Sequence, residues 1–126
     1  MTNINSQLII DTNILKENIS YIKTQLREKS NFMAVIKSDA YGHNIENVVT
    51  NIDDSVDGYG VVRISEAKKI RKISNKKILL MQGIYSDDEL HKAIKLNLDI
   101  VIHNKDQFSI INSNNYFEGL WLKINT

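Results

Sequence analysis

A lysine stands at the end of an apolar, β-branched run in the first third of the sequence. Residues 32–37 read Phe-Met-Ala-Val-Ile-Lys, which predicts a strand buried on both faces that ends at Lys37. A small-residue turn and then Tyr41, Gly42 and His43 follow directly. Because ligands bind at the carboxyl ends of strands in parallel α/β folds, Lys37 is the first candidate for chemistry, as an amine nucleophile or a proton carrier.

The other residues able to do chemistry have simpler interpretations. His43, His91 and His103 show no ligand spacing, so no metal site is predicted. His43 is interpreted as a brace for its own loop, whereas the acidic run 87–89 favours the positive end of a helix that opens with a Ser86-x-x-Glu89 capping box. Met81 and Trp121 are interpreted as core or barrel-wall residues.

Composition excludes several classes of function. The chain has 126 residues, a formal net charge of +1 and no cysteine, which describes one domain, or part of one, without disulfides. The balanced charge predicts neither nucleic-acid binding nor a membrane surface, and no window is long and apolar enough to span a membrane, so a cytoplasmic location is expected. One basic cluster is interpreted as a solvated face, comprising Lys68, Lys69, Arg71, Lys72, Lys76 and Lys77.

The elements that must position Lys37 follow from hydrophobic periodicity. Strand-like runs and amphipathic helices alternate along the chain, and strands recur about every twenty to twenty-five residues, which predicts βαβ units with a parallel sheet. Predicted strands are 8–10, 32–37, 58–64, 78–84, 99–103 and 120–124. The first predicted helix has cap candidates at 11–13 and runs to residue 27; further helices are predicted from 45, from 65, after Ser86, and from Asn104 or Asp106.

This alternation predicts an α/β fold, either a doubly wound sheet or a barrel. No Gly-x-Gly-x-x-Gly loop follows the first strand, which disfavours a dinucleotide-binding sheet. The barrel is therefore preferred, and because a (β/α)₈ TIM barrel needs about 250 residues, residues 1–126 are expected to be its first four to five βα units with parallel strands.

The stretch that starts at Lys37 resembles the signature of alanine racemases. In that family a lysine, one variable residue and Asp or Asn precede Ala-Tyr-Gly-His, and all six defined positions of residues 37–43 match; Asn44 departs from the usual glycine. The resemblance extends along the chain to Asp11 and its helix, to residues 58–67, to residues 101–107 and to residues 121–126.

The resemblance implies a pyridoxal 5′-phosphate enzyme with a (β/α)₈ barrel, a separate C-terminal β domain and a homodimeric assembly. It implies that Lys37 forms the Schiff base with the cofactor and is one of two bases, that Tyr41 lies beside the cofactor phosphate, and that Lys123 is a lysine that some members carbamylate. The second base would be a tyrosine of the partner subunit. Residues 1–126 would then be the N-terminal part of the barrel domain, without the remaining barrel and the β domain.

Three functions remain open from the residues. The first is alanine racemisation in a full-length enzyme, with residues 1–126 inactive alone. The second is a non-catalytic barrel remnant that binds pyridoxal phosphate weakly or dimerises through its open sheet edge. The third is a related pyridoxal-phosphate-dependent racemase that acts on another amino acid.

Overall fold

The computed structural model describes residues 6–126, which form one parallel sheet covered by helices. The five strands are β1 (Met33–Val35), β2 (Gly58–Val61), β3 (Lys77–Leu80), β4 (Asp99–Ile102) and β5 (Leu120–Leu122). The helical elements are α1 (Thr12–Thr24), α2 (Lys37–Tyr41), α3 (Ile45–Ile52), a 3₁₀ turn (Asp53–Ser55), α4 (Ile64–Arg71), α5 (Asp87–Lys95) and α6 (Lys105–Ser113).

The strand order β1-β2-β3-β4-β5 is sequential, and every neighbouring pair is parallel. A doubly wound sheet reverses its order at a switch point, whereas right-handed crossovers in one direction place all helices on one side. The sheet is therefore wound as a barrel is, and the predicted partial (β/α)₈ barrel of about five βα units is confirmed.

The core lies between the sheet and the helices. Alternate strand residues point toward the helices and are buried, since successive side chains of a strand face opposite sides. These residues, Tyr59, Val61, Ile78, Leu80, Ile100 and Ile102, form one apolar cluster with the inward stripes of α3 to α6, which include Ile45, Val49, Ala67, Ile70, Leu90, Ala93 and Ile111.

The other residues of the strands form the inner face of the sheet, which no helix of residues 6–126 covers. Leu79, Met81, Val101 and Trp121 line a cavity of about 230 Å³ on this face, together with Leu122 and Lys123 at its edge. Trp121 is 45% exposed there, so of its two predicted positions it holds that of a barrel-wall residue and not that of a core residue. Its strand lies at an edge, where only β4 flanks it.

Two predictions on the N-terminal segment are wrong. Residues 8–10 form no strand and pair with none of the five strands, and Ile9 is 78% exposed. The first helix ends at Thr24 rather than at residue 27. The amides of Gln25 and Leu26 donate to carbonyls three residues earlier, as in a 3₁₀ turn, and not four residues earlier as in an α-helix.

The first strand also differs from its prediction. It spans only Met33–Val35, and Val35 is 41% exposed, so it is not buried on both faces. The cause is its position, since β1 is an edge strand with β2 on one side only. The remaining strands lie within their predicted ranges, apart from β3, which begins one residue earlier at Lys77.

The basic cluster is a solvated face only in part. Lys68, Lys69 and Lys72 are exposed as predicted. Arg71 and Lys76 are half-buried and donate to backbone carbonyls, and Lys77 pairs with Asp99. Arg71, Lys76 and Lys77 make these contacts because they face neighbouring βα units.

Candidate functional site

A cavity of about 310 Å³ lies at the carboxyl ends of the strands. It is lined by residues that follow or end all five strands, namely Lys37, Val62, Met81, Gln82, Tyr85, His103 and Lys123. The structure thus brings together Lys37 and Lys123, which are far apart in sequence, because parallel strands present their carboxyl ends on one edge of the sheet. We refer to this space as the Lys37 cavity.

The backbone of Lys37 is held on both sides. The amide of Ile36 donates to the carbonyl of Gly60 at 2.9 Å, which is the last ladder bond of β1. The amide of Ser38 donates to Oε1 of Glu66 at 2.6 Å. The Lys37 side chain is half-buried and, within the described range 6–126, lies in neither of the two ion pairs, so its amine is not held by a carboxylate.

The turn after Lys37 is left-handed over four consecutive residues. Ser38, Asp39, Ala40 and Tyr41 have φ angles between 55° and 56°. Each such L-residue costs roughly 1–2 kcal/mol relative to a right-handed conformation, and runs of them are rare. Their strain is offset by local hydrogen bonds, including that from the Ile45 amide to Asp39 Oδ1 at 2.9 Å.

His43 and Asn44 close this turn. Nδ1 of His43 lies 2.9 Å from the carbonyl oxygen of Ala40, which confirms its interpretation as a loop brace. Asn44 has a φ of 68° and accepts a hydrogen bond from the amide of Asn47, so it caps α3. Asparagine is among the residues that tolerate this backbone best, which explains how it replaces the glycine of the signature.

His103 also lines the Lys37 cavity, although the residue pattern predicted no role for it. Its Nε2 is buried and has no hydrogen-bond partner among residues 6–126, although the side chain lines the Lys37 cavity. A buried polar atom without a partner is costly and uncommon, so its presence needs an explanation. The sequence carried one signal for this role, because His103 is a polar residue directly after the apolar run of β4.

Glu66 and Gln107 were also missed, and both join neighbouring loops. Oε2 of Glu66 accepts from the amides of Val62 and Arg63, while its Oε1 accepts from Ser38. Oε1 of Gln107 accepts from the His103 amide at 2.8 Å, and its Nε2 donates to the Gln82 carbonyl at 2.7 Å. Each is the third residue of its helix, which is the capping-box position.

Tyr41 lies apart from Lys37. It is 60% exposed and lines a separate apolar groove of about 490 Å³, between the open edge of β1 and α1, together with Ile9, Ile14, Val35 and His43. Tyr41 is not among the residues that line the Lys37 cavity. The role of Tyr41 beside a cofactor phosphate stays a prediction.

Two kinds of feature are absent from residues 6–126. No group of three or more His, Asp or Glu side chains is arranged to hold a metal ion there. In the same range no helix has the length and apolar character needed to cross a membrane.

Comparison with known proteins identifies the family of this chain. The family model described as "Alanine racemase, N-terminal domain" matches residues 10–126. The alanine racemase of Vesicomyosocius okutanii is 43% identical over 117 residues, which cover 93% of this chain and 33% of that protein. The alanine racemase of Mannheimia succiniciproducens is 40% identical over 115 residues, covering 89% of this chain and 32% of that protein.

A solved structure agrees with these matches. The alanine racemase of Acinetobacter baumannii superposes with a TM-score of 0.77 at 29% identity, over 84% of this chain and 31% of that chain. The chain thus spans about a third of the length of the curated relatives that it matches.

Proposed function

The chain belongs to the family of alanine racemase N-terminal domains, and from this premise we propose that the Lys37 cavity is part of a site that interconverts L-alanine and D-alanine with pyridoxal 5′-phosphate. The observation that carries the proposal is the position of Lys37 at the carboxyl end of β1, in one cavity with His103 and Lys123. Small-molecule pockets span roughly 300–1,000 Å³, so this cavity of about 310 Å³ has the size of part of such a site.

The residues present fit the cofactor. Pyridoxal phosphate carries an aldehyde, a ring nitrogen and hydroxyl, and an anionic phosphate. The cavity offers two lysine amines and the buried Nε2 of His103, which lacks a partner in the described structure. The Lys37 amine is the group that we assign to the aldehyde, because its backbone is anchored on both sides.

When bound, pyridoxal phosphate would supply an electrophilic carbon for a lysine amine and a ring that delocalises the charge left by removal of a substrate α-proton. Lys37 would act first as the amine nucleophile and then as the carrier of that proton on one face of the substrate. Tyr41 is assigned to the surroundings of the phosphate, and Lys123 to carbamylation, on the resemblance alone.

Racemisation needs a proton carrier on each face of the planar α-carbon, so Lys37 alone is insufficient. The resemblance assigns the second base to a tyrosine of the partner subunit in a homodimer. We therefore expect residues 1–126 to bind the cofactor without racemising alanine. Turnover by these residues that persists on dilution would contradict this expectation.

The test is cofactor binding followed by reduction. Pyridoxal phosphate should give a visible absorption band, and borohydride should convert it to a permanent label that mass spectrometry locates at Lys37. Lys37→Ala should abolish band and label, whereas Lys68→Ala, which changes an exposed lysine of α4, should leave both unchanged. A wild-type protein without a label at Lys37 would overturn the site assignment. Substrate profiling of a full-length protein separates alanine from other amino acids.

A second candidate function rests on the open edges of the sheet. Val35 of β1 is 41% exposed and Leu122 of β5 is 74% exposed, and each edge strand has one unpaired side. Exposed edges of this kind pair readily with other strands. If the chain is a barrel remnant, β5 of one copy would pair with β1 of another, and sedimentation should show a concentration-dependent dimer that Leu122→Lys dissociates.

A further inference from the structure

The carboxylate of Glu66 connects two βα loops at the mouth of the sheet. Its Oε2 accepts from the amides of Val62 and Arg63 at 3.1 and 3.0 Å, within its own loop. Its Oε1 accepts from the amide of Ser38, in the loop after β1, at 2.6 Å. A carboxylate accepts such bonds from several N–H donors at once, and charge-assisted bonds are about twice as strong as neutral ones.

The bond to Ser38 is additional to the capping of α4. Glu89 holds the same third position in α5, and its Oε2 accepts from the amide of Tyr85, in its own loop, at 2.6 Å. Within the described residues Glu89 makes no bond to the loop of another strand. Local capping thus needs one oxygen, and Glu66 applies its second oxygen to the residue that follows Lys37.

The Lys37 backbone depends on this second bond because little else holds it. The strand before Lys37 has three residues and one neighbour, and its last ladder bond is that of Ile36. The turn after Lys37 is left-handed and strained from Ser38 onward. Glu66 is therefore the contact from another βα unit that fixes the amide plane between Lys37 and Ser38.

We propose that Glu66 is the positioning residue for Lys37, holding the amide between Lys37 and Ser38 so that the lysine side chain stays in the cavity with His103 and Lys123. The role toward cofactor rests on the proposed function above. The backbone role does not, because it follows from the hydrogen bonds alone. Glu66 acts through Lys37 and is not itself assigned to contact cofactor or substrate.

The test compares Glu66→Gln with Glu89→Gln by two readouts. A carboxamide has one acceptor oxygen, so Glu66→Gln cannot serve both loops, whereas Glu89→Gln keeps the one acceptor that its loop needs. The first readout is amide hydrogen exchange of residues 37–42, which requires no cofactor. Glu66→Gln should speed this exchange, and Glu89→Gln should leave it at the wild-type rate.

The second readout is the pyridoxal phosphate concentration that half-labels Lys37 on borohydride reduction. Glu66→Gln should raise it about tenfold, the equivalent of about 1.4 kcal/mol, and should move the pH midpoint of the visible band. Glu89→Gln should leave both values within about twofold of wild type. If Glu66 had only a structural role, the half-labelling concentration and the pH midpoint would change in proportion to the thermal stability that each variant loses.

Each outcome decides the inference. Faster exchange at 37–42 in Glu66→Gln alone supports it, and equal exchange in the two variants overturns it. If wild type is never labelled at Lys37, the proposed function fails while the exchange comparison still decides the backbone role. Should Glu66→Gln not fold, Glu66→Asp keeps the charge but is one methylene too short for Ser38, and it should show the same selective increase in exchange.

Discussion

The ammonium of Lys77 lies 2.7 Å from Oδ2 of Asp99, on the inner face of the sheet, near its amino edge. The indole N–H of Trp121 donates to the same oxygen at 2.8 Å. The Asp99 side chain is 14% exposed and that of Lys77 is 52% exposed, so the carboxylate is the buried member. One acceptor thus connects three neighbouring strands, β3, β4 and β5.

Removal of that acceptor should destabilise the protein. We expect Asp99→Ala to lower the free energy of unfolding by about 1–3 kcal/mol, because two donors lose one partly buried acceptor. Urea unfolding can be followed by the fluorescence of Trp121, the single tryptophan of the chain. Asp88→Ala is the matched control, since its pair with Lys92 is solvent-exposed and its loss should cost less. Equal losses would contradict the prediction.

Tyr59 gives a prediction on pH. Its hydroxyl donates to Oδ1 of Asp53 at 2.8 Å, and its side chain is fully buried. Burial, with the hydrogen bond to Asp53 and the Asp53 charge, raises the pKa of Tyr59 far above its ordinary value of about 10. Above pH 10 the unfolded chain releases this proton and the folded chain keeps it, so stability from Tyr59 is complete below pH 10 and falls as pH rises further.

The measurement is urea unfolding of wild type and Tyr59→Phe between pH 7 and pH 11. Near neutrality the variant should be less stable by about 1.5–3 kcal/mol, because the Asp53 carboxylate loses a donor. Above pH 10 the difference should shrink, since phenylalanine has no proton to retain. A difference that stays constant up to pH 11 would show that Tyr59 does not govern alkaline stability.

Arg71 should not be replaceable by lysine. Its guanidinium donates to four backbone carbonyls, those of Ser74, Lys76, Leu96 and Asn97, at 2.8 to 3.1 Å. Burial lowers the pKa of Arg71, and its acceptors are neutral. Lysine cannot reproduce the planar fork, so we expect Arg71→Lys to cost about 1–3 kcal/mol in thermal or urea unfolding. Lys72→Arg on the exposed face should have little effect, and a similar insensitivity of Arg71→Lys would refute the prediction.

His103 should lower the stability of the protein while it supports cofactor binding. Replacing it by leucine removes a buried nitrogen that lacks a partner in the described structure, so the free energy of unfolding should rise by about 1 kcal/mol. Labelling of Lys37 by pyridoxal phosphate and borohydride should weaken in the same variant. His91→Leu, at an exposed position of α5, serves as the control and should change neither quantity. A loss of stability in His103→Leu would rule out this interpretation.

Much of the fold could be read from residue patterns. The apolar runs at β2, β3 and β4 predicted the buried strands that the structure contains, and Ser86 and Asn104 marked helix starts that it confirms. These signals are local, since a strand or helix needs only its own periodicity and caps. Leu8 to Ile10 misled the same reasoning, because an apolar run becomes a strand only where another strand can pair with it.

What the residues alone determined is that a lysine with a racemase-like signature follows the first strand of a βα series. Tertiary structure decided that Lys37 and Lys123 share one cavity, that Tyr41 faces a different groove, and that Glu66 reaches a loop 28 residues earlier. Periodicity reports which side of an element is buried but not which element lies beside it. The left-handed backbone from Ser38 to Tyr41 had no sequence signal either, because none of its four residues is glycine and only neighbouring hydrogen bonds stabilise it.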